Sequence, residues 1–203
     1  VAPAYLRSPN DLLALPDGTL FVANDYGPGK GSFLWRNLRG ARNCNVVRRS
    51  PDGAWTNFAT RLRMANSLAT DGRELFVSTT RGGEILAYPL SGGAPRVVAR
   101  KLGSLDNLSW SHDGQLLVAR HPSNWRFYLH AQGCRRTAPS EVWCIDPAAA
   151  RPPERIFADN GERISAVSVA VEAPGPVLML GQIFGGHLLV VTNQVPTAHA
   201  PAK

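Results

Sequence analysis

Short runs of alternating apolar and polar residues recur along this chain, and they come in pairs that flank an Asp-Gly step. Ser8 to Asp25 places Leu12-Leu13-Ala14-Leu15 and Leu20-Phe21-Val22-Ala23 on either side of Asp17-Gly18. Met64 to Thr80 repeats the layout across Asp71-Gly72, and Leu105 to His121 repeats it across Asp113-Gly114. Glycine accepts the positive φ that a tight hairpin turn demands, so Asp-Gly between apolar runs is the strongest short-range signal for a β-hairpin. A fourth segment, Ile164 to Val191, keeps the paired runs and lacks the Asp-Gly turn.

Further strand-like runs follow each hairpin. They are Ser32 to Trp35 and Asn45 to Val47, then Glu84 to Tyr88, then Arg126 to Leu129 and Glu141 to Ile145. Each unit therefore holds about four strands, and no stretch carries a convincing helical period. Four-stranded units at roughly 40 to 45 residues are the signature of β-propeller blades. Asn66 and Asn107 lie 41 positions apart, whereas Asn10 and Asn66 lie 56 apart. The excess falls in the Gly/Arg-rich stretch Gly27 to Arg42, which is expected to be a surface loop. The prediction is an all-β chain with about four blades, the last degenerate. Closed propellers of only four blades are uncommon, so the chain is expected to be the later part of a six-bladed ring. Residues 1–192 form this partial propeller in that reading, and 193–203 form a Pro/Ala-rich tail.

Composition supports the all-β reading: 19 Gly and 16 Pro beside 18% charged residues make a turn-rich mixture. No transmembrane segment is expected, because the longest apolar candidate, Val167 to Val191, is interrupted by Glu172, Pro174 and Pro176. The formal charge of +7 is spread as single or paired arginines, so no nucleic-acid partner is expected. The three cysteines form no CxxC knuckle; Cys134 and Cys144 either pair across two strands or stay free. The five tryptophans, at strand positions, read as core and inter-blade packing rather than a binding platform. The chain starts at Val1 without a charged-then-apolar leader, which leaves the compartment open. No GxSxG, Walker, GxGxxG or HExxH motif is present, which removes serine hydrolase, nucleotide and zinc-protease readings.

Candidate chemistry lies at one place in the repeat. Asn10, Asn66 and Asn107, the last preceded by Asp106, stand just before the innermost strand of their units, where residues are expected to line one end of a central tunnel. Oxygen ligands from several blades suit calcium, which takes six to eight oxygens in flexible geometry. A single Asn or Asp before a strand commonly makes only an Asx turn. Three in register, two beside aspartates, favour an ion.

These residues resemble a family. Pro9-Asn10-Asp11 with Phe21 to Asp25, then Ala65-Asn66-Ser67, Leu105 to Ser109, Ala119 to Pro122 and Ser140-Glu141-Val142 look like successive motifs of the paraoxonase or arylesterase family. The resemblance runs from Pro9 to about Val190, the later two thirds of the family pattern. It implies a calcium-dependent hydrolase of carboxylic esters or lactones, taking a small-molecule ester or lactone. Asn10, Asn66, Asp106 and Asn107 match the ligands of the catalytic calcium, and Asp11 matches a ligand of a second, structural calcium. His121 matches a histidine at the mouth of the active site; residue reading alone makes it a strand-end histidine. Tyr26 departs from the histidine common after Asn24-Asp25. The family's glutamate ligand and histidine pair belong to earlier blades, so they are expected upstream of Val1, and the chain itself is expected to be weakly active or inactive. Gluconolactonase or regucalcin-like sugar lactonases share Asn66 and Asp106, but Asn107 and His121-Pro122 favour the paraoxonase pattern. A non-catalytic interaction propeller is the remaining alternative.

Overall fold

The computed structural model describes Pro3 and residues 6–25, 42–134 and 137–192. The strand expected at Ser32 to Trp35, most of the Gly27 to Arg42 insertion, Tyr26 and the 193–203 tail lie outside the described residues. Four antiparallel sheets follow one another along the chain, each pairing its strands in chain order. This consecutive meander is the β-propeller blade read from the sequence.

The first sheet holds β1 (Pro9–Ala14), β2 (Leu20–Asn24), β3 (Cys44–Arg49) and β4 (Trp55–Leu62). The second holds β5 (Ala65–Thr70), β6 (Glu74–Thr79), β7 (Glu84–Pro89) and β8 (Arg96–Ala99). The third holds β9 (Ser104–Trp110), β10 (Leu116–His121), β11 (Ser140–Ile145) and β12 (Glu154–Asp159). The last has three strands: β13 (Val167–Ala173), β14 (Val177–Gln182) and β15 (Leu189–Thr192). All three Asp-Gly steps make the expected hairpins, with φ of +86° at Gly18, +85° at Gly72 and +76° at Gly114. The aspartates fasten the turns: Asp17 accepts from the Thr19 amide at 2.8 Å, and Asp71 from the amides of Arg73 and Glu74.

The chain divides into two compact units, Val1–Leu105 and Asp106–Lys203. In the first, the two sheets bury Phe21, Val46, Leu62, Leu75 and Val77 against each other. In the second, Leu117, Val142, Ile164, Leu178 and Leu180 fill the corresponding layer. The second strands read as unbroken apolar runs, such as Leu75-Phe76-Val77, because both of their faces are covered.

One element corrects the sequence reading. Arg126 to Leu129, expected as a strand, lies in α1 (Asn124–Ala131). Ser123 caps this helix with extended backbone, its Oγ accepting from the Arg126 amide. The tryptophan expectation also changes. Trp125 is 67% exposed on α1, while Trp55, Trp110 and Trp143 are only half-buried. All three cysteines are free thiols, so Cys134 and Cys144 do not pair; burial, with Asp113 and Glu154 nearby, pushes the Cys144 thiol up to about 11.

Candidate functional site

Three of the innermost strands share an irregularity at their second position. Between the pairs Pro9–Asn24 and Asp11–Ala23 the register slips by one, leaving Asn10 as an extra residue. The same slip falls at Asn66-Ser67 in β5 and at Ser168 in β13. A β-bulge re-aims a side chain out of the ladder, and such bulges concentrate beside functional sites. The sequence reading set Asn10 and Asn66 just before these strands, whereas both lie at the second position inside them; Ser168 escaped it, because the fourth segment has neither an asparagine nor an Asp-Gly turn from which to count.

Each candidate asparagine has its amide nitrogen engaged. Asn10 Nδ2 donates to Asp25 Oδ2 at 2.9 Å, Asn66 Nδ2 to Thr80 Oγ1 at 3.1 Å, and Asn107 Nδ2 to Ser168 Oγ at 3.0 Å. Asn66 is 7% exposed, and its Oδ1 is buried without a hydrogen-bond partner. A buried carbonyl oxygen left bare costs on the order of 1–3 kcal/mol, and a cation would remove that cost. Asp25 does further local work: its Oδ1 accepts from Ser8 Oγ, while the neighbouring Asn24 Oδ1 caps the amides of Arg7 and Ser8.

In the second unit, Asp106 is buried in β9 with 8% exposure, and Asn107 follows it half-buried. Asp106 Oδ2 lies 3.7 Å from Nε2 of His121, which closes β10. His121 is 4% exposed, and burial takes its pKa down to about 4 against the raising effect of the Val167 carbonyl. It is therefore neutral at pH 7. Its Nε2 lies 2.9 Å from the Val167 carbonyl, which can only accept, so Nε2 carries the proton. The ring stacks on Phe127 of α1 at 4.3 Å, and Phe127 in turn meets Phe184 at 5.9 Å. His121 thus sits behind an aromatic wall.

Asp11 works as a tether. Its Oδ2 accepts from Ser67 Oγ and from the Leu68 amide, both at 2.7 Å, which joins β1 to β5. Replacing it by alanine strips a buried amide of a charged acceptor. Asp11→Ala is expected to cost about 1–3 kcal/mol in urea unfolding of the first unit with chelator present. A larger loss with calcium present would mark an ion on the same carboxylate.

A second buried carboxylate was not singled out as a site residue. Glu141, 7% exposed, lies directly opposite Arg120 in the β10–β11 pair and bonds it, Arg155 and the Trp143 indole. Burial alone raises this carboxyl, but the Trp143 N–H and the two arginines hold it below its ordinary value of 4.5. A depressed carboxyl stabilises the fold above its unfolded value and loses that stabilisation as pH falls through the folded value. Wild type is therefore expected to lose stability more steeply below about pH 4.5 than Glu141→Gln, as read by thermal unfolding across pH.

Among the described residues, no three His, Cys, Asp or Glu side chains gather into a metal-binding arrangement. The residues singled out from the sequence carry two carboxamides in the first unit, Asn10 and Asn66, and a carboxylate with a carboxamide in the second, Asp106 and Asn107, all hard oxygens of the kind that suits calcium better than zinc. Comparison with known families bears on the stretch that holds Asp106, Asn107, His121 and Ser168. Residues 95–190 match the Arylesterase family model. The arylesterase-matching segment thus covers β8 to β14 and the first two residues of β15. A search of curated proteins returns no match. Among solved structures, the chain resembles a provisionally assigned gluconolactonase, with 18% identity over 86% of this chain and 55% of that one, at a TM-score of 0.53. It resembles a luciferin-regenerating enzyme at 14% identity over 84% of this chain and 52% of that one, TM-score 0.53. The extracellular domain of a provisionally assigned one-component system from B. thetaiotaomicron matches at 14% identity over 90% of this chain and 21% of that one, TM-score 0.57. These likenesses establish the propeller fold. The chain spans about half the length of the first and second of these, and about a fifth of the third.

Proposed function

We propose that this chain is part of a calcium-dependent propeller hydrolase of carboxylic esters or lactones. The observation that carries the reading is the arylesterase match over residues 95–190, which contains Asp106, Asn107 and His121. Asn10, Asn66, Asp106 and Asn107 would hold the ion, and the bare, buried Oδ1 of Asn66 is the oxygen whose state a cation best accounts for. Calcium bound by such oxygens supplies a positive charge able to polarise an ester carbonyl and offset the negative charge that develops on it.

The chain's own residues have narrower tasks. Asp106 provides the one full negative charge of the set. His121, kept neutral and with its proton held toward Val167, adds no positive charge beside Asp106. Phe127 lays an apolar ring against it, and the half-exposed Phe184 packs on Phe127. No side chain among the described residues is assigned as the base for an attacking water. Asp11 is the proposed ligand of a second, structural calcium.

Phenyl acetate, an aliphatic lactone series and a sugar lactone, offered with calcium and then with chelator, test the reading on this chain and on a form extended upstream of Val1. Chelator-sensitive turnover of aryl ester or aliphatic lactone by the extended form supports it. Turnover that survives chelator removes the calcium role, preference for the sugar lactone moves the protein to the gluconolactonase type, and no turnover by either form leaves an interaction propeller.

A further inference from the structure

The three amide contacts follow a rule that goes beyond the ligands themselves. In the first two sheets, the acceptor of the asparagine amide is the residue immediately after the second strand: Asp25 follows β2 and Thr80 follows β6. The separations are 15 residues from Asn10 to Asp25 and 14 from Asn66 to Thr80. In the third sheet that place, after β10, is taken by Pro122, which has no side-chain acceptor. There the acceptor comes from the next sheet instead, as the Ser168 hydroxyl at the bulge of β13.

A carboxamide has one acceptor end and one donor end, and fixing one fixes the other. The Asp25 carboxylate accepts only, so Asn10 must turn its nitrogen toward Asp25 and its oxygen away. Thr80 carries a hydroxyl that is able to donate as well as accept, but here its Oγ1 accepts from Asn66 Nδ2, and the oxygen at the other end of that amide is the buried atom with no partner. We propose that Asp25, Thr80 and Ser168 are positioning residues that lock Asn10, Asn66 and Asn107 with their carbonyl oxygens presented as cation ligands. This rests on the calcium reading above. An unlocked asparagine spends part of its time with its NH2 toward the ion, which repels it. Outer-sphere partners of metal ligands are worth about 10–100-fold in metal affinity when removed.

The test is calcium binding by isothermal titration calorimetry on the whole chain, with melting temperature in chelator measured alongside. Thr80→Val and Ser168→Ala are expected to weaken calcium binding by about 10–100-fold each, and Asp25→Ala to act in the same direction. Thr80→Ser and Ser168→Thr, which restore the hydroxyl, are expected to recover most of the wild-type affinity. Melting in chelator should match wild type for the Thr80 and Ser168 variants. Loss of chelator-state stability with unchanged affinity would make these contacts purely structural and overturn the proposal. So would Thr80→Ser and Ser168→Thr binding as weakly as Thr80→Val and Ser168→Ala. A wild-type chain that binds no calcium overturns the calcium reading itself, whereas normal wild-type binding with unaffected variants overturns only the positioning role.

Discussion

Asp106→Ala is expected to lower calcium affinity by on the order of a hundredfold, which is about 2.7 kcal/mol, and to abolish chelator-sensitive hydrolysis in the extended form. Asp106 is the only carboxylate among the four candidate ligands, and cation affinity in oxygen sites is tuned chiefly by ligand charge. Its 8% exposure means that its charge is screened by little water. Asn107→Ala, which removes a neutral carbonyl, should cost less than Asp106→Ala. The effect on the ion separates from the effect on the fold. A ligand that binds only the native state stabilises it by about 2.7 kcal/mol at a hundred times its Kd, so calcium should raise the melting temperature of wild type and leave that of Asp106→Ala unchanged. Equal calcium affinity in the two proteins would show that Asp106 is a buried acid near His121 and no ligand.

That prediction concerns a residue legible in the sequence, and the reason is local. Asp17, Asp71 and Asp113 each open a glycine turn whose geometry depends on two residues, so the hairpins could be placed directly. Counting back from each turn puts Asn10, Asn66 and Asp106-Asn107 just before the innermost strand, whereas they lie inside β1, β5 and β9. What escaped were the residues that act on them. Thr80 and Asp25 are identified only once the bulge at the strand start sets which side chain faces the end of the next strand. Ser168 lies in a sheet without the turn that anchored the count. Glu141 and Arg120 stand 21 positions apart and meet only through the β10–β11 register.

The helix was missed for a different reason. Trp125, Phe127 and Tyr128 are residues that favour strands, and eight residues are too few to establish a period of 3.6. The Ser123 cap decides the matter, together with the stacking of Phe127 on His121 six residues earlier, a ring contact that the residue types alone do not specify. The correction has a functional consequence, because a strand there would have given His121 an open rim. The helix gives it a covered ring with a fixed tautomer, and that favours a residue shaping its surroundings over one exchanging protons.

Phe21→Ala is expected to be the most damaging single change in the first unit, at about 3–5 kcal/mol. Phe21 is 1% exposed in β2, and its ring meets Phe58 of β4 edge-on at 4.8 Å; Phe58 in turn lies 5.9 Å from Tyr88 of β7. This row of rings spans the layer between the first and second sheets, where Val46, Leu75 and Val77 complete the packing. The two remaining fixed rings cannot collapse into the space that Phe21 leaves as smaller aliphatic residues do, so most of the cavity should persist. Phe21→Leu retains much of the volume and should cost well under half as much. Hydrogen exchange gives the most specific readout, since protection should fall across β1 to β8 as the unit opens more often. The consequence for the candidate site follows through β1 and β5. The Asp11 tether to Ser67 and Leu68 holds the two bulges only while the sheets behind them stay packed. Calcium affinity in Phe21→Ala should accordingly recover at low temperature or with stabilising osmolyte, whereas that of Asp106→Ala should not. Equal and complete recovery in both would place Asp106 in the packing of the fold rather than at the ion.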